Sequence, residues 1–310
     1  MLYYVFVAPF FIIIMYLVLF TTFRFMGYRN IPYEMFSDSP LFHREKNIFI
    51  TNTEHLKEYL TSVHPQMYSV KVDFKGLPPT YDNFYKQYTD SIVDISSEYN
   101  EMLESYVEKC NKLLVKYPVY GRYSWEFKMS INNLEKNMPF TIDKYIILPK
   151  NTLEDLLESY KHGHFKTDFI DTLIHEKTHV IQRFNQSRFD TFYKTYYKHI
   201  VVRKFNDVIP DVLDKNHMAN PDSNNSIWLY KLKNHTYIPM LVYSDNKIKS
   251  FAFNIEDYRD VIDLDKAKYD FGYRYNISFY HPNEIFACEF TGYVLSNMSS
   301  DICDRFINSL

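Results

Sequence analysis

The sequence predicts an α+β fold behind an N-terminal transmembrane helix. Three observations carry this: an uncharged apolar run over residues 1–23, apolar residues recurring at steps of three and four through 85–117 and 167–184, and strand-like segments gathered between 227 and 255. The 310 residues are 46% hydrophobic and 24% charged, which excludes full-length disorder and allows a sizeable core. A formal net charge of -3 supplies no basic field to hold a phosphate backbone, so no nucleic-acid partner is expected. Cys110, Cys288 and Cys303 are too widely spaced for a disulfide framework or a paired-cysteine zinc site.

Taken in order, residues 1–23 carry no charged side chain before Arg24, and at about 1.5 Å per residue they are long enough to cross roughly 30 Å of hydrocarbon. They lack the basic start and small-residue cleavage site of a signal peptide, so they read as an uncleaved anchor in a lipid membrane. Residues 24–78 are mixed and aperiodic, a stalk or pro-like segment, and Gly76-Leu-Pro-Pro-Thr80 breaks any regular element. A boundary is placed there, with 79–310 as one folded domain. Tyr85, Tyr88, Ile92, Ile95, Tyr99, Met102, Tyr106, Cys110, Leu113 and Tyr117 predict one long helix, broken at most once, that ends before Pro118. Tyr145–Leu148, between Pro139 and Pro149, predicts a short buried strand. Asn151 and Glu154 then have capping-box spacing for a helix through Leu157. A helix from about Thr167 turns Phe169, Ile170, Leu173, Ile174, Val180, Ile181 and Phe184 inward. Ile227–Tyr230, Tyr237–Tyr243 and Phe251–Ile255 predict a small antiparallel meander, and Pro282 opens a last helix at a position that tolerates proline.

The chemistry concentrates in His175-Glu176-Lys177-Thr178-His179 on the Thr167 helix. Spacing of i, i+4 stacks both imidazoles on one face, where each can offer a nitrogen to one zinc ion, while Glu176 is set to reach a water instead of the metal. A catalytic zinc needs a third protein ligand from elsewhere. Downstream candidates are His199, His217, His235, His281, Glu256, Glu284 and Glu289.

The stretch IHEKTHVIQR resembles the active-site helix of the HExxH zinc metallopeptidases, the zincins. Gln182 and Asn185 stand where a metzincin would have Gly and His, which excludes that branch. His281-Pro-Asn-Glu284-Ile-Phe-Ala287 is similar to the glutamate helix of gluzincins, so the resemblance implies Glu284 as the third ligand, with His281 as its rival. The chain departs from that pattern in the long interval between His179 and Glu284, and in Cys288 where the neprilysin type has Asp. The resemblance implies a zincin-like metallopeptidase domain at 79–310 binding one Zn2+ through His175, His179 and Glu284, with Glu176 as the catalytic base. It implies a peptide or protein substrate, hydrolysed by an anchored endopeptidase. Tyr145–Leu148 is similar to the zincin edge strand that pairs with an extended substrate. Tyr280 and Tyr275 lie near Glu284 as possible oxyanion donors, and Asp171 could orient a histidine or cap the helix. The alternative is a non-catalytic membrane or envelope protein that keeps the fold and binds peptides; the presence of Glu176 favours the enzyme. Arg24, Arg29, Arg44 and Lys46 behind the anchor favour a cytoplasmic domain, against Asn-x-Ser/Thr sequons at Asn185, Asn224, Asn234, Asn276 and Asn297.

Overall fold

A computed structural model describes residues 53–310 apart from 206, 208, 225, 233, 272, 274–276, 298 and 299. Helices and strands mix in an α+β arrangement with two sheets. The first has the order β1-β2-β4-β3, from β1 Ile92–Asp94, β2 Glu126–Ser130, β3 Phe140–Ile142 and β4 Tyr145–Pro149. β2 and β4 are parallel, and β1 and β3 are antiparallel edges. The second sheet is a sequential antiparallel meander of β5 Val201–Phe205, β6 Ile227–Leu232, β7 His235–Ser244, β8 Lys247–Asn254 and β9 Val261–Asp263. Its β7–β8 turn places Asp245 and Asn246 at φ 53° and 58°, the left-handed pair that a two-residue hairpin requires and that Asp and Asn tolerate. The three strands expected between 227 and 255 are thus present, with one more on each side.

The helix Thr167–Phe184 runs through the main core against the helices Asn100–Leu114 and Pro282–Ser296 and against β3 and β4. Phe169, Ile170, Leu173, Ile174, Val180 and Ile181 are buried as their spacing predicts. Phe184 is instead 52% exposed and stacks on Tyr123. Around the Pro282 helix the core is aromatic: Phe286 and Phe290 stack on one another, and Phe290 stacks on Tyr120.

Several expectations are corrected. Among the described residues no helix is long and apolar enough to cross a membrane. The run over 1–23 lies outside the described residues; the described chain is α+β and holds no such helix, so the transmembrane helix and the single-pass membrane placement are not supported. The helix expected over 85–117, with at most one break, is broken once into Tyr81–Asp90 and Asn100–Leu114, but the break holds an unexpected strand, β1. Ile92 and Val93 are β-branched and flanked by Ser91 and Ser96, and they gain a ladder with β2 (Ile92 opposite Ser130, Val93 opposite Met129) that a continuous helix would forgo. Asn151 does not cap: the helix Lys150–Lys161 begins one residue earlier, behind Pro149. β4 is not an edge, because β2 and β3 flank it on both sides and all five of its residues are buried.

Among the described residues the expected boundary at 78/79 is not a break in packing, because residues on both sides of it share one buried cluster. Leu56, Tyr59, Leu60, Met67, Val72 and Phe74 share a buried cluster with Phe84, Tyr88, Phe140 and Ile147. That cluster has an ionic centre: Lys71 Nζ donates to Glu135 Oε2 at 2.5 Å, and Tyr59 and Tyr88 hydroxyls donate to Glu135 Oε1 at 2.5 and 2.9 Å. Lys71 is 0% and Glu135 2% exposed, so each needs the other to remain charged out of water.

Candidate metal centre

The site is built where the Thr167 helix crosses the Pro282 helix. The first gives His175 and His179 from successive turns; the second gives Glu284 from its first turn, entered through Pro282 at a position where the missing N–H costs nothing. His175 Nε2 and His179 Nε2 are 2.9 Å apart, and Glu284 lies 3.4 Å from His175 and 3.5 Å from His179 through its two carboxylate oxygens. Ligand atoms at the corners of a tetrahedron with bonds of about 2.0–2.1 Å are separated by about 3.3 Å. The nitrogens of His175 and His179 thus converge with the Glu284 carboxylate, one ligand atom from each residue falling within 4.8 Å of the others, and two imidazoles with a carboxylate form a set suited to zinc. Among the described residues this is the one group of three or more His, Cys, Asp or Glu side chains close enough to hold a metal.

Burial shapes the electrostatics. His179 is 1% exposed and its imidazole is lowered by burial, which keeps it neutral as a ligand must be. Burial alone would lift the Glu284 carboxyl, but His179, His175 and His281 outweigh it and hold the group down to about 2. Glu176 is pushed well up, first by burial and then by the nearby Asp222 carboxylate. Its Oε2 is buried and has no hydrogen-bond partner among the described residues.

Two neighbours orient the imidazoles. Gln182 Nε2 donates to the Asn283 carbonyl at 2.9 Å and to the Tyr193 hydroxyl at 3.1 Å. A carbonyl only accepts, so the amide's Oε1 must face His179, where it accepts from Nδ1–H at 2.7 Å and leaves the Nε2 lone pair toward the site. Cys288 Sγ lies 3.9 Å from His175 Nδ1. Asp171 holds neither position; it sits in the second turn of the helix, its carboxyl raised by burial and then by Asp168.

His281 is the N-cap of its helix, accepting from Asn283 N at Nδ1 (3.1 Å) and engaging the Ser226 carbonyl through Nε2 (3.1 Å). Both nitrogens are committed, and burial lowers it to about 3. His217 lies 3.7 Å from Asp214, and Glu289 accepts from Tyr197 at 2.5 Å, so these serve elsewhere. The Tyr280 hydroxyl donates to Glu284 Oε1 at 3.2 Å; Tyr275 lies outside the described residues. Sequence reasoning missed Gln182 as an orienting group, and it missed Asn220, whose Nδ2 donates to Glu284 Oε1 at 3.0 Å and also to Tyr280. Asn220 carries no motif, and only the folded chain brings it to the site.

Comparison with known proteins finds no matching protein family, no matching curated protein and no matching solved structure.

Proposed function

We propose that the chain is a zinc-dependent peptidase in which His175, His179 and Glu284 hold the ion and Glu176 is the general base. The observation that carries this is the convergence of two imidazole nitrogens 2.9 Å apart on the Glu284 carboxylate, whose two oxygens lie 3.4 Å from His175 and 3.5 Å from His179, beside a buried Glu176 oxygen that has no hydrogen-bond partner among the described residues. Zinc bound there would supply a Lewis acid for a carbonyl group and lower the pKa of water to about 7. Glu176 accepts the proton of the attacking water at its free carboxylate oxygen and returns it to the departing amine. Burial of this carboxyl favours its protonated form, so it holds the proton between the two transfers. Gln182 keeps His179 in the tautomer that faces the ion. Peptide as the substrate class rests on the resemblance of the two motifs to zincins and on the short edge strand β3, which the site helix reaches through Arg183 and Thr141.

The second reading, a peptide-binding protein that holds a metal without turnover, is favoured by one feature: the β3 edge is covered in this conformation, with Thr141 N–H donating to Asp222 at 2.9 Å. Metal analysis of the purified chain with a peptide-library cleavage assay separates the two. The peptidase reading expects Glu176→Gln to keep its metal and lose cleavage. Equal cleavage by wild type and variant contradicts it.

A further inference from the structure

The segment from Met218 to Ser223 bridges three parts of the molecule. At one end Met218 N donates to Leu241 O at 2.9 Å, fixing the segment to the meander. The Ala219 carbonyl accepts from buried Lys71 at 2.5 Å, with the Tyr59 hydroxyl 3.3 Å away. Asn220 donates to Glu284 and Tyr280 at the candidate metal centre. Asp222 Oδ1 accepts from Thr141 N at 2.9 Å and from Thr141 Oγ1 at 2.5 Å, and Arg183 donates to the Thr141 carbonyl at 3.2 Å.

Thr141 is the middle residue of β3, the free edge of the first sheet beside the site helix. An extended peptide adding to that edge needs its N–H and carbonyl as hydrogen-bond partners. Here both are already engaged: a side-chain carboxylate stands in for a peptide carbonyl, and a guanidinium for a peptide N–H. We propose that residues 218–223 form an autoinhibitory strap lying in the path of an extended peptide, a proposal that rests on the peptidase reading above. The ties are mostly hydrogen bonds, which an incoming backbone can replace in kind, so the strap is displaceable without unfolding the core.

The N-terminal segment holds the strap closed. Lys71, which anchors Ala219, is itself fixed by Glu135, and the chain holds Glu135 at φ 49° and Lys136 at φ 59° to deliver that carboxylate. Such left-handed positions cost energy for residues other than Gly, Asn or Asp and persist where the surroundings impose them. Residues 53–78 therefore act on the site at a distance, through one carbonyl of the strap.

Two full-length variants test the proposal. The double variant Lys71→Met/Glu135→Gln removes both buried charges together and frees Ala219, while Ser223→Ala removes the partly exposed hydroxyl that ties the turn of the strap to the Asn220 carbonyl at 2.7 Å, away from the metal-binding side chains. Each is loaded with zinc and assayed on heat-denatured casein, with hydrogen exchange followed at residues 140–142 and 218–223. The expected result is cleavage about tenfold faster than wild type together with faster exchange at both segments. If the double variant does not fold, Ser223→Ala carries the test alone. Zinc-loaded variants that exchange faster but cleave no faster would place the strap outside the peptide path and overturn the proposal. Unchanged exchange at Thr141 in a folded variant overturns it as well. Absence of zinc from wild type and variants defeats the peptidase reading itself, and the strap with it.

Discussion

Gln182 and Cys288 show how much of the candidate metal site lies outside its motif. The motif supplies donors, but donors bind only in the right tautomer and orientation, and Gln182 supplies both to His179 through an amide locked by Asn283 and Tyr193. Gln182→Leu, close in volume but without the acceptor, is expected to lower zinc affinity about 10- to 100-fold, and Gln182→Glu to lower it as well, because a carboxylate oxygen would replace the amide donor that faces the Asn283 carbonyl. Competition titration against a chelator measures both, and equal affinity for Leu and Gln would remove the orienting role. Glu284→Ala is expected to weaken zinc far more than His281→Ala, since His281 spends both nitrogens on the helix cap and on Ser226. The reverse order in the same titration would make His281 the ligand. The pairing of His175 with His179 was legible in the sequence because helix geometry alone sets the two imidazoles on one face, with Glu176 one residue round from it. Glu284 was legible only by likeness to a glutamate helix, and Gln182 and Asn220 were not, because their partners Asn283 and Glu284 are distant in sequence.

At the scale of elements, the amphipathic helix Thr167–Phe184 and the meander were readable because both are local patterns with a clear period. The first sheet was not. β1 and β3 are three residues each, too short to carry a period, and the parallel pairing of β2 with β4 is a long-range choice that no window of sequence contains. Tyr85 to Tyr117 misled for a related reason: Tyr88, Ile92 and Ile95 fall at helical steps, while Ile92 and Val93 also suit a strand, and pairing with β2 decides between them. β4 read correctly as buried but wrongly as an edge, since a continuous apolar run marks a strand covered on both faces and says nothing about its neighbours in the sheet. Ile147, 0% exposed at the centre of β4, tests this placement. Ile147→Ala is expected to cost about 2–5 kcal/mol in urea unfolding, and a loss below about 1 kcal/mol would be inconsistent with a close-packed interior strand.

For the whole molecule, one buried and one half-buried imidazole set a pH dependence. His55 and His281 are each lowered to about 3, by burial first in both cases, with Arg183 adding to it at His55. An unfolded histidine titrates near 6.5, so below that pH the unfolded chain binds protons that the folded chain refuses, and stability falls as pH drops from 6.5 toward 3. Between pH 7.5 and 5 each contributes a loss of up to about 2 kcal/mol. In the metal-free protein His281→Asn, which keeps a capping side chain, should flatten the urea midpoint over that interval; an unchanged slope would mean that His281 is not held neutral by the fold. The same burial joins residues 53–78 to the body of the chain through Lys71 and Glu135, which composition alone could not reveal because the segment has no period of its own. The central claim is that this chain holds one zinc between two helices. The most direct measurement is metal stoichiometry of the purified protein at micromolar zinc, for wild type, Glu176→Gln and Glu284→Ala side by side. The account predicts about one zinc per chain in the first two, and little in the third because a two-histidine remnant lacks its third ligand. A metal-free wild type, or a Glu284→Ala variant that holds zinc as tightly as wild type, would contradict it.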